Sequence, residues 1–83
     1  NLLFVLGKLL FQVQSYAQAQ ECFLDLIRIS PYHAQAYYFA GRSAQSLGLA
    51  EQAVTYFQEY LKLLPDGEES AWIRANVPDL SQK

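Results

Sequence analysis

Residues 37–65 read YYFAGRSAQSLGLAEQAVTYFQEYLKLLP, and the order of large and small side chains in that stretch decides the fold. Tyr37, Ala40, Gly41 and Ala44 recur at the three- and four-residue spacing of one helical face. Gly48 follows, well suited to the left-handed conformation that closes a helix. Ala53, Phe57, Tyr60 and Leu61 then restart the helical spacing, and Pro65 stops it. Much of this series already stands earlier in the chain. Gly7 precedes Gly41 by 34 residues (41 − 7 = 34), and Ala19 with Ala53, Phe23 with Phe57 and Pro31 with Pro65 keep the same interval. Softer pairs hold that register: Leu3 with Tyr37, Val13 with Leu47, Gln18 with Gln52, Ile27 with Leu61, Ile29 with Leu63.

The helices implied by these spacings can be drawn in order. The first is expected over about Leu2 to Gln14, with Gly7 inside it, where it costs about 1 kcal/mol relative to alanine unless it serves close packing. Ser15 is a suitable N-cap for a second helix, Tyr16 to Ile29, whose Ala19, Phe23, Leu26 and Ile27 make one stripe. Ser30-Pro31 ends it. A third helix is predicted from His33 to Leu47 and a fourth from Ala50 to Leu63, closed by Leu64-Pro65-Asp66-Gly67. A shorter fifth runs from Glu68 to Asn76, its two glutamates in the first turn, where they favour the positive end of the dipole. Val77-Pro78 stops it, and Asp79 to Lys83 is expected to fray.

A fixed period of this length with Gly, Ala, Phe and Pro at these offsets resembles the tetratricopeptide repeat family of helix–turn–helix units. The resemblance covers residues Leu2 to Pro65. It implies an all-α fold of antiparallel helix-pair repeats, about five helices in a short solenoid. One domain is expected, with repeats over 1–31 and 34–65, a capping helix over 68–76 and a tail over 77–83. The chain departs from the family pattern at Gln20, where an aliphatic residue is usual, and at Gln14, which takes the place of a glycine. Leu26 stands where a small residue is common, and Ala71 where Trp is frequent.

Composition sets bounds on the rest. Eighty-three residues make one small domain, and hydrophobic residues at 52% with charged ones at 17% exclude a disordered chain. The charged share is below the usual level of about 25%, so more apolar surface is expected than two repeats can hide. A net charge of −2 gives no nucleic-acid footprint. Cys22 is the single cysteine, which excludes an internal disulfide framework. The apolar opening Leu2 to Phe11 is too short for a membrane span, which needs about 20 residues, and has no basic flank ahead of it. The chain begins at Asn1 and is expected to be a fragment or a processed product.

Motifs for catalysis or metal binding are weak. His33 is the single histidine and reads as a turn residue, since a metal site needs three or four ligands at suitable spacing. Cys22 has no histidine at a defined offset and falls on the outer side of its helix. Glu68-Glu69 is accounted for by a helix N-terminus. Gly41-Arg42-Ser43 lies mid-helix and is no phosphate loop. No catalytic residue, cofactor or metal is therefore expected.

What remains is a surface. The resemblance implies that the first helix of each repeat lines a groove for a partner peptide or helix. By position that groove takes Phe4, Lys8, Phe11 and Gln12 from the first repeat and Gln35, Tyr38, Arg42 and Gln45 from the second. The first four share one helical face, and Phe4 with Tyr38 and Lys8 with Arg42 keep the 34-residue interval. Both charges expected there are basic, while Glu21, Asp25, Glu51 and Glu59 fall on or beside the second helices. This pattern suits a partner with apolar anchors and an acidic group. The subgroup that clamps the C-terminal carboxylate of heat-shock chaperones is not matched, since Phe4 and Lys8 stand where its Lys and Asn would be. Two further expectations stand beside this one. The nearly all-apolar first helix, Leu2 to Val13, implies self-association or an upstream repeat that covers it. Small proteins of this register also resemble bacterial secretion chaperones.

Overall fold

A computed structural model describes residues 2–77. Of the tail expected at 77–83, Val77 is instead buried in the core, and residues 78–83 lie outside the described residues. Among those described there are five α-helices and no strand: α1 (Leu2–Gln12), α2 (Tyr16–Ile29), α3 (Ala34–Ser46), α4 (Ala50–Leu63) and α5 (Glu68–Asn76). Each helix packs on the one before it, and α1 also touches α3. α1, α3 and α5 thus lie side by side on one face, with α2 and α4 behind them.

Two equivalent contacts set the helix pairs. The ring of Phe23 from α2 lies against Gly7 of α1, where an added Cβ would stand 2.7 Å from its Cε1. Phe57 of α4 lies against Gly41 of α3 in the same way, at 2.6 Å. Both rings are fully buried. The glycines bring each pair of axes close enough for a phenyl ring to fill the gap, and Ala19 and Ala53, both buried, do the same from the partner helix.

Helix ends differ from expectation in three places. α1 stops at Gln12, two residues early, because Gln14 takes a left-handed φ of 67°. Gln14 is the counterpart of Gly48 (φ 81°), so both loops use one turn geometry although one of them lacks the glycine. Ser15 stands at the N-cap of α2, but its hydroxyl makes no cap hydrogen bond. α3 begins after His33, and that side chain does cap: its Nδ1 accepts from the backbone N–H of Ala36 at 3.3 Å. His33 also lies 4.9 Å from the ring of Phe4, which makes it a joint between the repeats rather than a plain turn residue.

The two pairs are held together by Phe39. Its ring stacks on Phe23 at 5.4 Å and meets Phe4 and Phe11 edge-on, each at 5.8 Å. α5 is attached by Ile73 and Val77, buried with Phe57 and Tyr60, and by two hydrogen bonds. Tyr60 donates its hydroxyl to Glu69 Oε1 at 2.6 Å, and Ser70 donates to the Leu64 carbonyl at 2.6 Å.

Candidate functional site

The eight residues expected in a groove fall into distinct settings. Phe4, Phe11 and Arg42 are half-buried, and Tyr38 is buried. Lys8, Gln12, Gln35 and Gln45 are exposed. The aromatic members are packing residues first. Phe4 meets Phe23, Phe39 and His33, while Tyr38 meets Phe39, Phe57, Tyr60 and Trp72. Gln35 does not join the cluster; it lines a shallow cleft with Tyr32, His33, Leu63 and Leu64.

Above the rings sit the two cations. The ammonium of Lys8 lies 5.1 Å from the centre of Phe4 and 5.9 Å from that of Phe39. The guanidinium of Arg42 is more enclosed: 4.5 Å above Trp72, 5.5 Å from Phe11 and 5.6 Å from Tyr38. Its Nη1 donates to the Tyr38 hydroxyl at 2.7 Å. Contacts of a cation with ring faces are worth about 0.5–2 kcal/mol each, enough to hold the long side chain in one place. Ring faces carry no formal charge, so these contacts do not neutralise the cations. Among the described residues the ion pairs are Arg28 with Asp25 and Lys62 with Glu59, each within a second helix of a repeat, and neither Lys8 nor Arg42 takes part. These two pairs are themselves one repeat apart, so Asp25 of α2 and Glu59 of α4 find local cations on their own helices.

Two residues essential to this arrangement, Phe39 and Trp72, were not among the expected groove residues. Phe39 has Val5 at its equivalent position, so comparison of the repeats shows no aromatic there. Trp72 does carry a signal: Phe4, Tyr38 and Trp72 stand at successive 34-residue intervals, and Lys8, Arg42 and Asn76 do likewise. α5 therefore continues the register of α1 and α3, and its Ser70, Ile73 and Val77 are buried where α3 buries Ala36 and Ser43 and inserts Phe39.

Other polar groups have structural settings. Burial raises the Cys22 thiol, and Asp25 and Glu21 raise it further, away from a reactive thiolate. Burial also raises Tyr37, assisted by Glu59 and Tyr32. Among the described residues no three of His, Cys, Asp and Glu gather to hold a metal ion, and no helix is long and apolar enough to cross a membrane.

Stacked antiparallel helix pairs with ring-for-glycine packing define a helical-hairpin repeat protein, a class whose units mediate protein–protein interaction. The chain belongs to the tetratricopeptide repeat family, whose model matches it over residues 1–33 and again over 34–66. A search of curated proteins returns no match.

Proposed function

We propose that this chain is a non-catalytic interaction module that holds a partner polypeptide along the face made by α1, α3 and α5. The partner segment carries an acidic group flanked by apolar side chains. The observation that carries this reading is Arg42: a guanidinium steadied over Trp72 and by Tyr38, with no carboxylate among the described residues paired to it. An arginine held this way has lost much of its rotamer freedom before a ligand arrives, so a carboxylate binds with a smaller ordering cost. Lys8, one repeat earlier, supplies a second positive point on the same face, and Gln12 and Gln45 offer amide groups one turn beyond each cation.

A selection of displayed peptides on the immobilised chain tests this. Enrichment of Asp or Glu beside aromatic or aliphatic residues supports it, provided calorimetry of a selected peptide shows affinity falling at least about tenfold in Arg42→Glu. Selected sequences without an acidic preference, or affinity unchanged in Arg42→Glu and Lys8→Glu, refute it.

A further inference from the structure

The hydrogen bond from Arg42 Nη1 to the Tyr38 hydroxyl, at 2.7 Å, fixes what that hydroxyl can still do. A guanidinium has five N–H donors and no acceptor, whereas a phenol both accepts and donates. Tyr38 has therefore spent an acceptor site on Arg42, and its own O–H proton needs an acceptor elsewhere. Among the described residues no hydrogen bond takes that proton. Two other tyrosines do place theirs: Tyr37 donates to the Pro31 carbonyl and Tyr60 to Glu69. Tyr38 is only 7% exposed, so an O–H without an acceptor there costs more than one in open water.

The setting selects the acceptor. The hydroxyl stands beside a half-buried guanidinium that Phe11 of α1 and Trp72 of α5 enclose at 5.5 and 4.5 Å. A hydroxyl that accepts from a charged donor becomes a stronger donor itself. Next to a cation, an anionic acceptor is favoured over a neutral one. A carboxylate brings two oxygens, one for a guanidinium N–H and one for the phenol O–H. The first repeat offers no such pair. Phe4 stands at the place of Tyr38 and has no hydroxyl, and Lys8 holds its ammonium over the rings of Phe4 and Phe39. The two cations of this face are therefore unequal.

We infer that the partner's acidic group is taken at the second repeat by Arg42 and Tyr38 together, the Tyr38 O–H donating to it directly. Lys8 then acts through its charge at longer range. This assignment rests on the peptide-binding reading and adds to it which cation receives the acid and which uncharged donor shares it. A lone cation attracts any anion. A guanidinium and an O–H side by side also reject the corresponding amide, whose NH₂ would face a donor and leave it unpaired.

A double-mutant cycle between Tyr38→Phe and Asp→Asn or Glu→Gln in an acidic peptide selected on the wild-type chain, read by calorimetry, tests this. Tyr38→Phe removes one oxygen and keeps the ring, so helicity is expected to be unchanged. It is expected to weaken the acidic peptide at least about fivefold and the amide form less than about twofold. The same cycle in Arg42→Gln separates direct donation from positioning. Coupling persists there if the hydroxyl touches the peptide and vanishes if it acts only through Arg42. Lys8→Gln is expected to lower affinity by an amount that shrinks at about 0.5 M salt, where distant charges are screened. Acid-dependent binding without coupling to Tyr38, or coupling that vanishes in Arg42→Gln, overturns the assignment and leaves the peptide-binding reading standing. Selected peptides with no acidic preference overturn both.

Discussion

A methyl group at Gly41 would stand 2.6 Å from Cε1 of Phe57, and the Phe57 ring is fully buried with nowhere to retreat. Two effects of Gly41→Ala oppose each other. Alanine favours the helix by about 1 kcal/mol. Overpacking a filled core costs about 1–3 kcal/mol. Because the clash is with an immobile ring in the body of the core, the second effect prevails. Gly41→Ala is therefore expected to destabilise the fold by about 1–2 kcal/mol in chemical denaturation. A gain in stability would mean that α3 and α4 are not held as closely as described. Gly48 has the opposite surroundings, with open space around it, and its value lies in backbone conformation alone. The two uses of glycine were legible in the sequence, but which ring fills the space at Gly41 was shown only by what lies near its Cα.

At the scale of the element, α5 is the informative case. Tyr60 and Leu26 occupy equivalent positions in the two repeats and are both fully buried, yet only Tyr60 has a hydroxyl to reach the following helix. Burial, and then the hydrogen bond to Glu69, push its pKa up to about 12 from the ordinary value near 10. The folded state holds the phenol proton more tightly than the unfolded chain does. The stability this contributes is fully present below about pH 10 and is lost as pH rises through about 12. Denaturation midpoints are expected to fall across that window by the equivalent of about 2–3 kcal/mol, and Tyr60→Phe is expected to flatten the slope. An equal slope in the variant would assign the pH effect to other groups. Gly67 belongs to the same joint, since an added Cβ would come within 2.5 Å of the Tyr60 hydroxyl.

Across the whole molecule, Phe39 is the ring of the second repeat that meets aromatic rings from both helices of the first. Phe39 stands at the meeting of α1, α2 and α3, stacked on Phe23 and touching Phe4 and Phe11. In a linear stack, stability is the sum of each repeat and the interface between neighbours, so removing the ring acts on the interface. Phe39→Ala is expected to cost about 2–4 kcal/mol, below the largest values for phenylalanine because the residue is only half-buried. It is also expected to broaden the unfolding transition as the repeats lose their coupling. A sharp transition with little loss of stability would place the coupling elsewhere. The same ring lies below Lys8, so the interface between the repeats and the arrangement of the cationic face share a residue.

Read alone, the chain dictated its helices and their pairing, because an interval of 34 residues with glycine facing phenylalanine admits one close way for the helices to pack. The 34-residue interval also put Lys8 and Arg42 at equivalent helix positions, and the family resemblance implied that they share a face. Which groups stand over those cations was decided only in three dimensions. Phe11, Tyr38 and Trp72 reach Arg42 from three different helices, and the contact depends on how far each axis is from the next. That distance is a property of the packed stack, and no single stretch of the sequence contains it.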